Sequence, residues 1–396
     1  MNLAETFTLI VPTYNRPLKL MSLLRYLARQ SAAFPIVVLD SGNHESKAAN
    51  AALVGELNLN IRLIAYESTI TPFEKFWRGS EEVMTEFCSL CADDDIVLID
   101  SLSPLVEFLQ QHLDFNAAHG WYFTFYNAAH LGITAILYSS PSLDQDDSLL
   151  RLRDMFNRYE AVTYALYRTD IMRQVLREIQ SVSSLMAHEL LASALTVVSG
   201  KVARLPMFYY GRSLEPSEQY DHWHPIDFLI SSPEQLFAQY SQYRLILAEW
   251  FQKNGYKGYS SGELLRLIDL MHMRYLSEYV TLDIMNYLID EVIAGTDRKE
   301  IFQGVLPLLA PATSPVLDFL RRSRLLRKIR ARFAPGFRLH HVSRFLGTTT
   351  VTTTTAGGCA RKYWLYKRFL SSFAQADRAR SANLLNGVIR ALNAYE

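Results

Sequence analysis

Apolar positions in the first hundred residues follow two rhythms. Unbroken apolar runs occur at Phe7 to Pro12 (FTLIVP), Phe34 to Asp40 (FPIVVLD), Ile61 to Glu67 (IRLIAYE) and Phe87 to Asp95 (FCSLCADDD). Between them lie stretches whose apolar residues recur every three or four positions. The runs do not alternate with polar residues, so they predict strands buried on both faces. The intervening stretches predict helices over Pro17 to Arg29, Glu45 to Glu56 and Pro72 to Met84; in the first, Leu20, Leu23, Leu24 and Leu27 share one face. Strand–helix alternation of this kind implies an α/β fold with a mostly parallel, Rossmann-like sheet flanked by helices.

After Asp95 the rhythm loosens. Gly120 to Ala128, Ala161 to Arg168 and Val202 to Arg212 read as strands, and Leu185 to Val198 as a helix. From Ser232 onward the pattern is helical, with a Ser-Pro start and an Asn-Gly stop around the first helix and then one long helix or two. Pro315 to Phe333 and Arg361 to Leu392 predict further helices, and the threonine tract from Thr348 to Thr355 a loop or linker. The expected organisation is an α/β domain over 1–230, a helical domain over 231–312, and a basic helical region over 313–396. Within the first domain, residues 1–100 are expected to bind a nucleotide and residues 101–230 an acceptor.

Composition narrows the class. A chain of 396 residues, 49% hydrophobic and 20% charged, can bury a sizeable core. Formal net charge is zero, yet thirteen of the 40 basic residues and no acidic ones lie between Leu320 and Leu370, so the rest of the chain is acidic. The three cysteines, Cys88, Cys91 and Cys359, are too few for a disulfide framework, and Cys88-x-x-Cys91 has no second pair, so buried strand residues are favoured over a zinc site. The start MNLAETFTLIVP does not have the form of a signal peptide, and no run of 18 apolar residues predicts a membrane span. A cytoplasmic protein is expected.

The acidic triplet Asp93, Asp94, Asp95 is the sharpest chemical feature. Adjacent carboxylates at the end of an apolar strand repel one another and resist burial unless a cation neutralises them, and oxygen donors suit Mg²⁺ or Mn²⁺. A solvated acidic turn is the competing reading, and spacing alone does not choose between them.

Context does. IVPTYNRP at the first strand, VLDSG at the second and CADDDIVL at the fourth resemble family-2-type bacterial glycosyltransferases of the GT-A fold. The stretch ITPFEKFWRGSEEVMTEFCSLCADDDIVL resembles a bacterial group of these enzymes with a lysine-bearing helix before the DXD segment. The likeness runs from about Thr6 to Arg212 and does not reach the C-terminal helices. It implies a metal-dependent, inverting transfer of a sugar from a nucleotide donor, UDP-type, to a glycan or lipid-linked acceptor in surface polysaccharide synthesis. It also implies roles: Pro12, Thr13, Tyr14 and Arg16 line the nucleotide pocket; Asp40 bonds the base and Ser41 closes the loop beside it; Lys75 approaches the phosphates, with a solvated helix lysine the plain alternative. Asp93 holds ribose or a metal-bound water, Asp95 binds the metal (Mn²⁺ or Mg²⁺), and Asp94, between them, suits either role. Glu189, in LMAHELLASAL, matches the catalytic base, although this chain has His188-Glu189 where an acidic pair is usual. His222 or His224, in QYDHWHP, is the candidate late metal or diphosphate ligand. Tyr209, Tyr210 and Arg212 are candidates for sugar stacking and phosphate contact, with core packing the plain alternative for the tyrosines.

The helix predicted at Pro315 to Phe333 carries Arg321, Arg322, Arg324, Arg327, Lys328, Arg330 and Arg332 among apolar positions. That mixture suits either an anionic membrane surface, engaged through about 315–345 on the inner face of the membrane, or a solvated basic face. The other C-terminal helices suit a bundle or a homodimer surface. No motif points to nucleic acid. Two other classes are weighed: a non-catalytic membrane-associated scaffold, which intact Asp93, Asp95 and Glu189 argue against, and a sugar nucleotidyltransferase, whose glycine-rich loop is replaced here by PTYNRP.

Overall fold

The computed structural model describes residues 2–126, 132–138, 140–182, 185–213 and 233–297, with short pieces at 300–301, 304–305, 348–354, 360–366, 387–388, 390–392 and 395. His222, His224 and the predicted basic helix at 315–333 lie outside the described residues.

The N-terminal half alternates as expected. After a short α1 (Leu3–Thr6) come β1 (Phe7–Thr13), α2 (Pro17–Arg29), β2 (Ile36–Asp40), α3 (His44–Glu56), β3 (Ile61–Ala65), α4 (Pro72–Glu81) and β4 (Phe87–Leu90). Helix starts are locally encoded: Pro17 and Pro72 occupy first-turn positions where the missing N–H costs nothing, and Asn43 and Thr71 accept from Ser46 N (2.8 Å) and Glu74 N (3.3 Å). The fourth strand ends sooner than the sequence predicts. It stops at Leu90, and Asp93 to Asp95 form a turn leading into β5 (Ile96–Val97).

The second half supplies α5 (Leu102–Gln111), β6 (Phe115–Tyr126), β7 (Gly132–Leu137), α6 (Ser148–Asn157), β8 (Leu166–Arg168), α7 (Thr169–Glu178), α8 (Leu185–Ser199) and β9 (Lys201–Ser213). The strand expected at Ala161 to Arg168 shrinks to its last three residues. Nine strands make one sheet in the order β3-β2-β1-β4-β8-β6-β9-β5, with β7 paired to β6. Pairs β3–β2, β2–β1, β1–β4 and β6–β9 are parallel, while β8 runs antiparallel to both β4 and β6. The fold is therefore Rossmann-like and mostly parallel at one end, mixed at the other.

Both faces of the sheet are covered, as the unbroken apolar runs require. Along β1, Phe7, Leu9 and Val11 join one core with α2 and α5, while Ile10 joins the other with α4, α7 and α8; β2 divides Ile36 and Val38 from Val37 and Leu39 in the same way. Helix α4 lies so close to β2 that a Cβ on Gly79 would overlap the Leu39 side chain and force it aside.

Helices α9 (Pro233–Lys253), α10 (Ser261–Tyr279) and α11 (Leu282–Ile293) follow. The pattern read as one long helix or two is two, broken where Thr281 caps α11. Tyr243, Leu247, Trp250 and Phe251 of α9 and Leu264 and Ile268 of α10 share the second sheet core, and Trp250 Nε1 donates to Ser199 Oγ of α8 at 2.8 Å. These two helices thus complete the α/β core. Further on, β10 (Thr348–Thr354) and β11 (Ala360–Tyr366) pair antiparallel, where the sequence predicted a threonine loop and the start of a helix; a β-branched tract favours extended backbone. No described helix is long and apolar enough to cross a membrane. Near the chain end, Tyr395 packs against Tyr26 and Phe125 in the first core.

Candidate active site

The chain runs from β1 through β2 to β3 in one direction across the sheet, then places β4 on the opposite side of β1. Open parallel sheets bind ligands at such a reversal, beyond the carboxyl ends of the strands. Here those ends are Thr13 on β1 and the aspartate turn after β4. Thr13 Oγ1 donates to Asp93 Oδ2 at 2.7 Å. Arg16, the residue capping α2, reaches both Asp93 Oδ1 (2.5 Å) and Asp94 Oδ2 (2.9 Å). Asn15 between them has φ of 53°, a left-handed turn that asparagine tolerates, and its Oδ1 accepts from Asn43 N at 2.7 Å.

Lys75 of α4 is buried rather than solvated. Its Nζ donates to Thr13 O (3.0 Å) and to Ser41 Oγ (2.8 Å), bridging the ends of β1 and β2. Burial pulls its pKa down to about 8 despite the opposing pull of Asp93 and Asp40. Asp40, wholly buried, accepts from Gly42 N and from Asn50 Nδ2, each at 2.8 Å. Its carboxylate thus shapes the loop after β2, and Asn50 Oδ1 remains buried without a partner beside it.

The three aspartates separate in role. Asp93 is fully buried and closed off by Thr13 and Arg16; burial, outweighing Arg16, raises its pKa to about 7. Asp94 is the half-buried one. Asp95 accepts from Tyr210 Oη (3.0 Å) on Oδ2 and from Ser213 N (2.7 Å) on Oδ1, and burial together with Asp94 raises it to about 7 as well. Among the described residues no three His, Cys, Asp or Glu side chains converge as a metal cage. Asp94 and Asp95 carry hard oxygens of the kind Mg²⁺ uses when it arrives on phosphates, but Asp94 Oδ2 pairs with Arg16 and both Asp95 oxygens accept hydrogen bonds, so a cation held there would share these carboxylates with Arg16, Tyr210 and Ser213. Asp93, wholly buried between Thr13 and Arg16, is the least open of the three.

Tyr209 and Tyr210 are fully buried, so of the two readings core packing holds and neither ring is open to a sugar. Tyr209 Oη pairs with Ser89 Oγ (2.7 Å) and donates to Tyr164 O (2.9 Å). Tyr210 Oη donates to Asp95, accepts from Ala92 N (3.1 Å), and its ring stacks on Tyr164 with centroids 5.2 Å apart. Tyr210 thus holds the aspartate turn, and Tyr209 the strand that leads into it.

Glu189 lies in the first turns of α8 and accepts from Tyr159 Oη at 3.2 Å. Burial raises its pKa, with Arg212 and Tyr159 opposing. Arg212 also lowers the pKa of Asp95, so one guanidinium stands within electrostatic reach of both the aspartate turn and Glu189. It donates to Tyr138 Oη at 3.4 Å. His188, beside Glu189, is buried against Phe73 with ring centroids 5.0 Å apart, and burial lowers its pKa, so it is no second acid. The structure thus brings Thr13, Arg16, Asp40, Ser41, Lys75 and Asp93 together, and sets Asp95 and Glu189 each within electrostatic reach of Arg212. Pro12 is the last residue but one of β1, and Tyr14 sits half-buried just beyond the strand. Sequence reasoning missed Asn50, Tyr159 and Tyr138. Asn50 has a local signal, a polar residue at a core-facing position of α3; the tyrosines have none.

No protein-family model matches the sequence, and no curated protein matches it. Among solved structures, S. aureus TarS 1-349 aligns over 89% of this chain and 95% of that one, with 17% identity and a TM-score of 0.47. The same protein in complex with UDP gives 16% identity, coverage of 90% and 98%, and a TM-score of 0.49. In complex with UDP-GlcNAc it gives 16% identity, coverage of 89% and 95%, and a TM-score of 0.48. Likeness of this degree assigns no chemistry, which has to come from this chain's own residues.

Proposed function

We propose that the chain is a glycosyltransferase that moves a sugar from a nucleoside-diphosphate donor to a glycan or lipid-linked hydroxyl acceptor, with inversion. The observation that carries this reading is the polar assembly at the sheet reversal, where Thr13, Arg16, Lys75 and Asp93 interlock beyond β1 and β4, with Asp95 beside them. Structural packing alone does not favour burying so many charges at one strand-end crevice.

In this reading the loops after β1 and β2 seat the nucleotide, and Arg16 and Lys75 bring positive charge to its diphosphate. Asp94 and Asp95 would hold a divalent cation, Mg²⁺ or Mn²⁺, which would neutralise further charge on the leaving diphosphate. Glu189 is the base. Its carboxylate accepts the proton of the acceptor hydroxyl as that oxygen attacks the anomeric carbon and the bond to the diphosphate oxygen breaks. Burial makes Glu189 a stronger base than a solvated glutamate, and Tyr159 orients it. Arg212, within reach of both ends, steadies negative charge as it moves from acceptor to leaving group.

The test is thermal unfolding with a panel of nucleotide sugars, in Mn²⁺ and in EDTA, followed by donor hydrolysis. A stabilising donor, more effective with Mn²⁺, supports the reading. Equal stabilisation in both arms removes the cation from it. No stabilisation by any nucleotide sugar in either arm overturns the assignment.

A further inference from the structure

The turn that carries the aspartates is held from a distant part of the chain. Val388, Ala391, Leu392 and Tyr395 are buried in the first sheet core, at the i, i+3, i+4, i+7 spacing of one helical face, and the described residues from 387 to 395 are helical. Arg390, on the exposed side, reaches Asp100 just past β5 at 3.7 Å. The Tyr395 ring stands edge-on to Tyr26 of α2 and Phe125 of β6, with centroids 6.2 and 5.7 Å away. Tyr26 in turn donates its hydroxyl to Val97 O at 2.8 Å. Packing of that kind asks only for a ring, and phenylalanine would serve. Tyr395 is buried with a hydroxyl as well, and its Oη donates to Asp94 O at 3.4 Å, across 301 positions of sequence.

We propose that Tyr395 is a positioning residue for the aspartate turn. Asp94 O belongs to the peptide unit that joins Asp94 to Asp95. The N–H of the same unit, Asp95 N, donates to Ala92 O at 3.1 Å. A peptide unit is planar, so a partner at each end fixes its orientation. That orientation sets ψ of Asp94 and φ of Asp95, and with them the directions in which the two carboxylates leave the backbone. The flanks of the turn are held separately: Tyr210 Oη accepts from Ala92 N, and Tyr26 donates to Val97 O. Tyr395 acts at the centre, on the unit between the two aspartates. A segment outside the sheet thereby sets how these carboxylates face the crevice. That they serve a nucleotide's cation rests on the transferase reading; the effect of Tyr395 on the turn does not.

The experiment is amide hydrogen exchange across residues 92–97 of the full chain, with calorimetry of UDP and GDP in Mn²⁺ alongside. Tyr395→Phe keeps the ring and removes the donor. Exchange at Asp95 N should quicken about threefold, the worth of one weak hydrogen bond. Tyr395→Leu also empties space between Tyr26 and Phe125 and should quicken it about tenfold or more. The affinity of the nucleotide that binds the parent should fall in the same order. Leu109→Ala is the control: it opens the same core beside the start of β4, where Leu109 O accepts from Arg168. It should lower the unfolding midpoint and leave both the exchange of the turn and the affinity as in the parent. Should Tyr395→Leu not fold, Tyr395→Phe decides alone. Parent-like exchange in a folded Tyr395 variant, an equal change in Leu109→Ala, or faster exchange with nucleotide affinity intact overturns the proposal. If neither nucleotide binds the parent while exchange responds as described, the transferase reading fails and the positioning role stands. If a nucleotide binds the parent and exchange does not respond, the reverse holds.

Discussion

Thr13 and Asp93, eighty positions apart, share a 2.7 Å hydrogen bond that ties the end of β1 to the turn after β4. The bond matters because Asp93 is fully buried and its other oxygen depends on Arg16. Thr13→Val is nearly isosteric and removes the donor. It should cost about 1–3 kcal/mol, the penalty for a buried acceptor left short of a partner, read as a lower denaturant midpoint at unchanged slope. Nucleotide-sugar affinity should fall with it. A variant as stable as the parent would mean that Asp93 finds water there.

The same burial fixes how stability depends on pH. Asp93 and Asp95 titrate at about 7 in the folded chain against 3.8 for a free carboxyl. The folded state therefore binds these protons more tightly than the unfolded one. Their contribution is complete below about pH 4 and is lost as pH rises through 7. Lys75 behaves oppositely in protons: its folded pKa of about 8 lies below the ordinary lysine value of 10.5, so between these values stability rises with pH. Asp93→Asn should flatten the fall between pH 4 and 7 without abolishing it, since Asp95 remains. Lys75→Met should erase the rise above pH 8. Denaturant midpoints across that range check both, and parallel curves for parent and variants would refute the burial argument.

Much of this was legible in the chain. The apolar runs located β1, β2 and β3 within a residue or two, because strands buried on both faces leave a one-dimensional signature. The aspartates stood out for the same reason: three carboxylates after an apolar run need a physical excuse. Their placement did not read correctly. The run continues through Cys91, but strand pairing of β4 with β1 ends at Leu90, and the acids turn away. Lys75 had a local clue that only the structure makes plain. Gly79, one helical turn later, lets α4 lie against β2, and a lysine on that face is buried with it. Tyr159 against Glu189 and Arg16 against Asp93 join distant segments, and single-chain periodicity carries no record of such pairs.

The helices after residue 232 show the same limit at the scale of domains. Periodicity suggests a separate helical unit over 231–312, yet Trp250, Leu247 and Phe251 lie in the core that covers one sheet face. Trp250→Ala should cost about 3–5 kcal/mol, the range for emptying a large core site, and should lower the single unfolding transition of the whole chain. A chain ending at 232 should expose that face and lose cooperative unfolding. An unchanged transition in either case would establish that the helices fold and pack on their own.

Glu189 and Tyr159 offer the sharpest division between structure and chemistry. Glu189→Gln keeps the size of the side chain and can still bond Tyr159, but it cannot take a proton. Loss of a positioned base costs typically 10²–10⁴-fold in rate, so transfer should fall by about that factor while nucleotide-sugar stabilisation and the unfolding midpoint hold. Tyr159→Phe should act differently. It removes a hydrogen bond that counters the upward pull of burial on Glu189. The rising, base-dependent limb of the pH–rate profile should therefore move to higher pH, with a smaller loss of rate at its plateau. Should Glu189→Gln instead abolish donor binding, or leave transfer intact, Glu189 is a packing residue and the base lies elsewhere.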